Sequence, residues 1–455
     1  MVTEHFKDSS VCILGLGYVG LTLGVVMADV GFNVLGVEIR DDVLAKLDAG
    51  KPHFHEAGLD EKLRRVIRSG HFRYAKHVPR EFDGSVFIIT VGTPLGPDGR
   101  TRLAIVEGVS EEVSSHLKAN DLVIMRSTVK LGTTRSIVAP RLDRAGVPYE
   151  LAFCPERTLE GRALTELRQL PQIVGGFTHD AGVRASQIFQ FLTPTTVRVS
   201  DLETAEMIKL IDNAQRDVAF AYANEVALAC DTIGISAAEV ISAGKLGYPR
   251  TNLPMPGPVG GPCLEKDSHI LAERLRELGV EPEITMASRR LNERQPELVS
   301  KHLAATLAAA GAPERPIVAL MGIAFKGQPA TDDLRGTMAK PVFDALKREI
   351  PGATWRGYDA VVSPAELEAF GLKPCASLSE AMAGAHLAVI LNNHPVFGAM
   401  PLDDLAPSMA RPALIYDFWN FFNAPDLHLP AGVRYMALGS HGRATALELD
   451  LAEIR

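Results

Sequence analysis

The chain has 455 residues, which is enough for two to four domains of ordinary size. With 46% hydrophobic and 22% charged residues, its composition suggests neither a disordered protein nor a fibrous repeat. The formal net charge of −8 is modest and spread along the chain, which argues against a nucleic-acid-binding surface and favours small-molecule partners.

The first strong pattern is a glycine motif between two predicted strands, in "VCILGLGYVGLTLGVVMADVGFNVLGVEI". An apolar run leads into Gly15, Gly17 and Gly20, and a helix-period stretch and a second strand follow. The first glycine permits a tight turn, the second lets the backbone approach a pyrophosphate, and the third allows close packing of helix on strand. Ordinary turns also use glycine, but the complete strand–turn–helix–strand unit predicts a dinucleotide site that includes Tyr18 and Val19.

Two charged residues after the second strand bear on the choice of cofactor. Glu38 lies 18 residues beyond Gly20, near the spacing at which an acidic side chain accepts both ribose hydroxyls. A carboxylate there would repel a 2′-phosphate, so the pattern favours NAD over NADP. Arg40 leaves an alternative open, because an arginine nearby can accommodate that phosphate or pack over the adenine ring.

Further apolar strands alternate with helical segments, at residues 85–94, 121–129, 147–156 and 171–176. This alternation predicts a parallel, doubly wound sheet over residues 1–200, with ligands at the carboxyl ends of its strands. Thr93 and Thr128 lie at such ends, and "CPERTLEG" follows a third strand. Hydroxyls in these positions can equally be helix caps, but their recurrence favours a ligand site.

The central region, residues 201–312, is predicted to be helical. Its first helix, over residues 201–231, contains no Gly or Pro and is long enough to join two domains or to pack on a partner subunit. Lys209 and Asn213 are four residues apart, so their side chains share one face of this helix. The alternative is a solvated pair on the helix surface.

Residues 313–455 predict a second α/β domain, beginning with the buried strand in "RPIVALMGIAFKG". It lacks a complete GxGxxG after that strand, so it need not bind a second dinucleotide. The predicted fold therefore has two Rossmann-like, doubly wound parallel-sheet domains, joined by a long central helix and a helical middle region.

The five cysteines are odd in number and contain no CxxC pair, so neither disulfides nor a metal site is predicted. Cys12 and Cys230 lie in apolar, periodic surroundings typical of buried thiols. Cys263 is different, because it follows "GPVGGP" and precedes Asp267 by four residues. It is either a nucleophile or a small apolar residue in a turn.

The sequence contains no apolar run of the roughly 18 residues that a membrane helix needs. Its polar start, "MVTEHFKDSS", lacks the charged and apolar regions of a secretory signal. We therefore expect a cytoplasmic protein without a membrane partner.

Six motifs occur in one order along the chain: "GLGYVGL", "RSTVKLGT", "CPERTLEG", "AEMIKLIDNA", "GGPCLEKD" and "GIAFKG…TDDLRGT". Together they resemble the UDP-glucose/GDP-mannose dehydrogenase family over essentially the whole chain. The resemblance implies oxidation of the primary alcohol of a nucleotide-bound hexose to a carboxylate with two NAD. Residues 313–455 would then bind the UDP-sugar.

The resemblance also implies roles for individual residues. Cys263 would be the nucleophile, and Lys209 and Asn213 would donate to the oxyanion. Asp267 and Thr128 would hold the hydrolytic water, with Glu160 as an acid/base. The predicted cofactor-binding residues are Gly15, Gly17, Tyr18, Val19, Gly20, Glu38, Arg40, Thr93, Thr128 and Arg335. The predicted substrate-binding residues are Glu156, Arg157, Leu159, Glu160, Lys209, Arg250, Gly260 and Lys326.

Arg250, in "GYPRTN", matches a position where the family contacts substrate from the neighbouring subunit, which implies a homodimer. The segment "CPERTLEGRALTEL" resembles the branch acting on UDP-N-acetylhexosamines more than the UDP-glucose branch. UDP-N-acetylmannosamine or UDP-N-acetylglucosamine is therefore the expected substrate, in surface polysaccharide synthesis. Three alternatives stay open at this point: a UDP-glucose dehydrogenase, a single-step β-hydroxyacid dehydrogenase, and an idle NAD or UDP-sugar sensor.

Overall fold

The computed structural model describes Val2 and residues 6–440. The chain forms two compact units. The N-terminal unit comprises Met1–Ala214 and Lys266–Pro282, and the C-terminal unit comprises Gln215–Glu265 and Glu283–Arg455. The partition into three domains over residues 1–200, 201–312 and 313–455 stays a prediction.

An eight-stranded sheet forms the centre of the N-terminal unit. Its strands are β1 (Ser10–Leu14), β2 (Asn33–Val37), β3 (Phe72–Ala75), β4 (Val86–Ile89), β5 (Asp121–Met125), β6 (Tyr149–Phe153), β7 (Gln172–Gly176) and β8 (Thr196–Val199). They lie in the order β3-β2-β1-β4-β5-β6-β7-β8. The predicted doubly wound arrangement is confirmed. The first six strands in this order, from β3 at the edge to β6, are all parallel to one another.

One pairing differs from the expected parallel sheet. β7 runs antiparallel to β6, through the pairs Ala152–Gly176 and Phe153–Gly175. A parallel connection needs a crossover, usually a long helix, and residues 154–171 form a loop and only a four-residue helix. The chain therefore returns to the sheet from its carboxyl edge.

The helices between and after these strands begin with α1 at the glycine motif. They are α1 (Tyr18–Asp29), α2 (Asp41–Asp48), α3 (Leu59–Arg68), α4 (Ala104–His116), α5 (Ala139–Leu142), α6 (Ala163–Glu166), α7 (His179–Phe189), α8 (Leu202–Ile233), α9 (Ala237–Lys245), α10 (Gly261–Leu264), α11 (Asp267–Glu277) and α12 (Glu283–Ala309). A single π-helical turn covers Thr134–Val138, and a 3₁₀ turn covers Asp143–Ala145. The long helix predicted over residues 201–231 is confirmed as α8, which has 32 residues.

The core of the N-terminal unit lies on both faces of its sheet. Val11 and Ile13 of β1 pack into one hydrophobic cluster, and the alternating residues Cys12 and Leu14 pack into another. Side chains of a strand alternate between faces, so a strand that is apolar at every position is buried on both. The continuous apolar runs of the sequence have this cause.

A six-stranded, entirely parallel sheet forms the centre of the C-terminal unit. Its strands are β9 (Ile317–Met321), β10 (Thr354–Tyr358), β11 (Lys373–Pro374), β12 (Leu387–Ile390), β13 (Ala413–Asp417) and β14 (Val433–Ala437). The helices between its strands are α13 (Ala339–Glu349), α14 (Pro364–Phe370), α15 (Leu378–Met382), α16 (Pro395–Gly398) and α17 (Leu402–Leu405), with 3₁₀ turns at Ala406–Ser408 and Ala424–Asp426. The order β11-β10-β9-β12-β13-β14 repeats the Rossmann order of the first six strands of the other sheet.

The two sheets also repeat a turn. Gly15 follows β1 with φ of 92°, and its N–H donates to the carbonyl of Val37 at 2.8 Å. Gly322 follows β9 with φ of 87°, and its N–H donates to the carbonyl of Tyr358 at 2.9 Å. In each sheet, the strand order reverses beside this turn, where ligands of such sheets bind.

Candidate active site

The glycine loop after β1 is built by steric fit as well as by backbone conformation. A Cβ at Gly20 would lie 1.9 Å from the carbonyl oxygen of Gly15, so helix α1 could not pack against the loop. A Cβ at Gly17 would meet nothing within 4 Å, so this position faces open space at the start of α1. The loop therefore fits a dinucleotide pyrophosphate, with free N–H groups at the helix N-terminus.

Glu38, directly after β2, is 8% exposed and holds this loop in place. Its carboxylate accepts from the N–H of Leu16 and from that of Arg40, both at 3.0 Å. Each oxygen retains a lone pair, so the predicted bonds to a ribose are chemically compatible with these contacts. The guanidinium of Arg40 pairs with Asp42, which offsets the positive charge that a 2′-phosphate would need.

Two predicted hydroxyl residues meet at the carboxyl edge of the sheet. The hydroxyl of Thr93 is buried and donates to the carbonyl of Thr128 at 2.5 Å. Lys266 reaches the same point, since its ammonium donates to the carbonyl of Thr93 at 3.2 Å. The sequence places Lys266 beside Asp267, so this bond brings the start of α11 to the strand ends.

Lys209, Asn213 and Asp267 form a buried polar group in the N-terminal unit. Lys209 is 9% exposed and Asn213 is 7% exposed, so the alternative of a solvated pair is wrong. The amide of Asn213 donates to Oδ2 of Asp267 at 2.6 Å. Burial raises the pKa of Asp267, while the positive charges of Lys266 and Lys209 act to lower it.

Glu206, one turn before Lys209, was not predicted as a site residue from the sequence. Its carboxylate accepts from the N–H groups of Gly132 at 2.5 Å and Thr134 at 2.9 Å, and from the hydroxyl of Thr134 at 2.6 Å. It thereby fixes the segment after Thr128 to helix α8. Burial raises the pKa of Glu206 to about 7 despite these hydrogen bonds.

The segment after β6 is anchored by a buried ion pair that sequence patterns missed. Arg126 donates to Oε2 of Glu156 at 2.5 Å, to the carbonyl of Cys154 at 3.0 Å, and to the side-chain oxygen of Gln172 at 2.8 Å. The other oxygen of Glu156 accepts two N–H groups, those of Arg157 and Thr158, at 2.7 Å. The positive charge of Arg126 and these hydrogen bonds lower the pKa of Glu156 despite the opposing effect of burial.

Other predicted residues of this segment are more accessible. The guanidinium of Arg157 is exposed and pairs with Asp212 at 3.0 Å. Leu159 and Glu160 are half-buried, and the N–H of Leu159 donates to Glu166 at 2.6 Å. The segment is therefore anchored at Glu156, and its other predicted side chains are accessible to a ligand.

All five cysteines lie within the described residues, and Cys263 alone is exposed. The prediction that Cys12 and Cys230 are buried thiols is confirmed. Cys263 belongs to the one-turn helix α10, and the two glycines at its start, Gly260 and Gly261, pack tightly. A Cβ at Gly260 would lie 2.3 Å from the carbonyl of Gly336, and one at Gly261 would lie 2.5 Å from the ring of Phe325.

A buried polar network in the C-terminal unit holds the segment that carries Cys263. Arg289 of α12 donates to the carbonyl of Val259 at 3.2 Å and to that of Leu264 at 2.8 Å, so it spans the segment from both ends. It also pairs with Asp217 at 3.0 Å, with both side chains at most 2% exposed. The sequence gives no local signal for this network, because its members are far apart along the chain.

The carboxyl edge of the second sheet is organised by Asp359, directly after β10. Its carboxylate accepts N–H bonds from Ile323 at 2.6 Å and Ala324 at 3.1 Å, and two more from Val361 and Val362. It fixes the turn that carries Lys326, whose ammonium lies 5.2 Å from the ring centroid of Phe325. The four backbone donors to Asp359 come from the turns after β9 and β10, whereas Glu38 of the other sheet accepts two backbone N–H groups among the described residues.

Two predicted arginines lie on the surface of the C-terminal unit. Arg250 stacks on the ring of Tyr248, 4.5 Å from its centroid, and donates to its hydroxyl at 3.1 Å. Arg335 is exposed and pairs with Asp333 at 2.5 Å. Their predicted contacts with a partner subunit's substrate and with the cofactor stay predictions.

Three domains of one family match the chain in order. The NAD binding domain of the UDP-glucose/GDP-mannose dehydrogenase family matches residues 9–193, its central domain matches residues 203–294, and its UDP binding domain matches residues 319–424. The chain belongs to the UDP-glucose/GDP-mannose dehydrogenase family.

Relatives in this family are similar over nearly the full length. UDP-N-acetyl-D-mannosamine dehydrogenase of Pyrococcus horikoshii is 31% identical over 436 residues, which are 94% of this chain and 99% of the relative. NDP-N-acetyl-D-galactosaminuronic acid dehydrogenase of Ralstonia solanacearum is 30% identical over 409 residues, which are 87% and 93% of the two chains. A solved structure of UDP-D-ManNAc dehydrogenase from Pyrococcus horikoshii matches with a TM-score of 0.85 at 30% identity, over 95% of this chain and 99% of that one.

Membership in the family confirms several predictions. Family membership confirms the resemblance, the Rossmann-like fold and NAD as the cofactor. It also confirms the predicted class of enzyme, an NAD-dependent UDP-sugar dehydrogenase.

Among the helices of residues 6–440, none is long and apolar enough to span a membrane.

Proposed function

We propose that the chain oxidises the primary alcohol of a UDP-N-acetylhexosamine to the uronate, with UDP-N-acetylmannosamine or UDP-N-acetylglucosamine as substrate. The names of several relatives support this choice of sugar, since UDP-N-acetyl-D-mannosamine dehydrogenases from Pyrococcus horikoshii and Methanococcus maripaludis are 31% and 30% identical to the chain. The product would supply surface polysaccharide synthesis, in the cytoplasm. UDP-glucose is the alternative substrate.

One observation carries the proposed mechanism: Cys263 is the single exposed cysteine, in a segment whose backbone is held at both ends by Arg289. A thiolate is a nucleophile that adds to aldehydes, and a fixed, accessible position is what such a role requires. Burial raises the pKa of the thiols of Cys12 and Cys154, to about 12 for Cys154, which keeps these side chains protonated and inert.

The proposed reaction has three chemical stages. A base takes the hydroxyl proton of the substrate as its carbon loses a hydride, which gives an aldehyde. The thiolate of Cys263 adds to the aldehyde carbon, and the thiohemiacetal loses a second hydride to become a thioester. Water then cleaves the C–S bond, which releases the carboxylate and regenerates the thiolate. Bound NAD supplies the hydride acceptor for both oxidations.

We assign the polar group around Asp267 to the later stages. Lys209 and Asn213 would donate to the oxygen that becomes negative when sulfur or water adds. Asp267 and Thr128 would position the water, and Glu160 would move protons. The burial of Lys209 and Asn213 supports this assignment, because donors are more effective where water is excluded.

We also propose a homodimer in which Arg250 reaches the partner's substrate. Two apolar side chains close to it in sequence are exposed, Leu246 at 87% and Tyr248 at 44%. Such a surface is typical of protein interfaces. Light scattering on the purified protein tests this proposal, and a monomer at micromolar concentration would contradict it.

A panel of UDP-sugars tests the proposed function. Each is incubated with NAD, and NADH is followed by its absorbance; the panel includes UDP-N-acetylmannosamine, UDP-N-acetylglucosamine, UDP-N-acetylgalactosamine and UDP-glucose. We expect the fastest turnover with one of the first two. Cys263→Ala should abolish carboxylate formation, whereas the matched variant Cys375→Ala, at a buried thiol, should retain it. Tight NAD binding without turnover of any sugar would instead favour a sensor.

A further inference from the structure

Glu56 lies outside every motif of the sequence, yet its carboxylate joins two predicted binding segments. It is 3% exposed and precedes helix α3. Its Oε2 accepts from the hydroxyl of Tyr18 and from the N–H of Gly161 at 2.8 Å. The N–H of Gly161 also donates to the hydroxyl of Tyr18 at 2.9 Å, so the three groups form a closed triangle.

Each corner of this triangle belongs to a different part of the N-terminal unit. Tyr18 is the first residue of α1, directly after Gly17 of the cofactor loop. Gly161 ends the segment that carries Glu156 and Glu160, and it has φ of 84°, a conformation that favours glycine. The carboxylate lies 38 residues from Tyr18 and 105 residues from Gly161 along the chain.

The surroundings fix the geometry of the triangle. The ring of Tyr18 packs on that of Phe54, with centroids 4.8 Å apart. The other oxygen of Glu56 faces the N–H of Leu164, in the first turn of α6, at 3.5 Å. Burial and the neighbouring carboxylate raise the pKa of the Tyr18 phenol far above its usual value, so the hydroxyl remains a donor at every working pH.

We propose that Glu56 is a positioning residue that couples the cofactor loop to the substrate segment. NAD on the glycine loop restricts Tyr18, and Tyr18 restricts Gly161 directly and through Glu56. NAD therefore orders residues 156–166 before a sugar binds, and a bound sugar tightens NAD binding by the same factor, as linkage requires. The inference rests on the proposed function insofar as these residues are taken to hold the substrate.

Hydrogen–deuterium exchange on the full chain with NAD alone tests the coupling. In the unaltered protein, we expect saturating NAD to slow amide exchange in residues 156–166 by about 5-fold or more, a usual size for coupling between sites. Residues 15–20 report in the same experiment whether NAD is bound. No turnover is needed, so failure of the proposed function, which is the absence of any oxidised sugar, is distinct from failure of this inference.

Three variants separate coupling from simple packing. Tyr18→Phe keeps the ring on Phe54 but removes the hydroxyl, so NAD should protect residues 15–20 and no longer protect 156–166. Glu56→Ala keeps only the direct bond between Gly161 and Tyr18, so the protection should fall to an intermediate value. Glu56→Gln should restore it, because a carboxamide oxygen can accept from both donors.

Tyr74→Phe is the matched control, because the Tyr74 hydroxyl also donates to a carboxylate, that of Asp48 at 2.9 Å. It should leave the protection by NAD unchanged. Absence of NAD-dependent protection at 156–166 in the unaltered protein would overturn the inference. Full protection in both Tyr18→Phe and Glu56→Ala would overturn it as well.

Discussion

The side-chain amide of Asn213 donates a 2.6 Å hydrogen bond to the carboxylate of Asp267, 54 residues further along the chain. Asp267 is fully buried, and its second oxygen, Oδ1, has no hydrogen-bond partner among the described residues. A buried carboxylate with one unsatisfied oxygen lowers the stability of the fold. Such a group is well placed to receive a proton or to orient a water molecule.

Replacing Asp267 by Asn should separate stability from activity. The carboxamide oxygen can still accept from Asn213, while the buried charge disappears. We expect kcat to fall by about 100-fold or more, because the attacking water would lose the carboxylate that positions it. We expect Tm at neutral pH to rise by about 2 °C or more, the shift that ~1 kcal/mol produces in a unit of this size. Steady-state rates and thermal unfolding measure the two effects.

The gain in stability should depend on pH in one direction. The folded pKa of Asp267 is raised above its unfolded value, so the ionised form destabilises the protein above that raised pKa. The advantage of Asp267→Asn should therefore be largest at neutral pH and shrink as the pH falls toward 4. An advantage that grows with acidity would show that Asp267 is a stabilising carboxylate.

Glu206 makes a second pH prediction, in a more accessible range. Its folded pKa of about 7 exceeds the usual value of about 4.3, so the folded state holds the proton more tightly between these values. Relative to Glu206→Gln, the unaltered protein should lose stability as the pH rises from 5 to 8. The loss should be roughly 1.4 kcal/mol for each pH unit that lies between the unfolded and the folded pKa. Urea unfolding at several pH values measures this difference.

Glu203→Gln is the control for that series. Glu203 lies one turn earlier on α8, and the hydrogen bond from Arg135 keeps the pKa of its carboxyl below the usual value. Its titration therefore lies below pH 5, and the variant should run parallel to the unaltered protein from pH 5 to 8. A parallel course for Glu206→Gln as well would contradict the raised pKa.

Local features were predictable from the sequence, and long-range ones were not. Gly15, Gly17 and Gly20 follow from short-range geometry, and Thr93 and Thr128 meet because parallel strands end at a common edge. The antiparallel β7 was missed, because strand direction depends on how residues 154–171 connect and not on the apolar run itself. A short apolar run carries no information on direction.

The residues that hold the site in place were also missed. Glu56 contacts a residue 105 positions away, and Arg289 contacts one 72 positions away. Neither forms a periodic pattern or a spacing that a sequence argument can use. Buried polar networks of this kind arise from tertiary packing, so they can be recognised only once the fold is known.

The glycine loop offers a paired test of cofactor binding against packing. Gly20→Ala should fail to form a stable fold, because its Cβ would lie 1.9 Å from a carbonyl oxygen. Gly17→Ala should fold normally but bind NAD at least about 10-fold more weakly, since its methyl group would occupy the open space. Thermal unfolding and calorimetric titration with NAD distinguish the two. Unchanged NAD affinity in Gly17→Ala would contradict the binding of the cofactor at this loop.

The buried pair of Arg289 and Asp217 should be essential to the segment that carries Cys263. Arg289→Met leaves the buried carboxylate of Asp217 without its arginine partner and should lower the free energy of unfolding by about 3–5 kcal/mol. The double variant with Asp217→Asn should recover part of this loss. Arg290→Met, at the adjacent exposed position, should change stability by no more than about 0.5 kcal/mol. Urea unfolding measures these free energies. Equal losses of stability in Arg289→Met and Arg290→Met would contradict the role assigned to Arg289.

The number of NADH molecules formed per UDP-sugar consumed tests the central claim most directly. With limiting UDP-sugar and excess NAD, the end-point absorbance should correspond to two NADH for each sugar, and the product should be the carboxylate. The covalent stage at Cys263 is our proposed route to the second of these two oxidations at one carbon. One NADH per sugar, with a free aldehyde as product, would contradict the account.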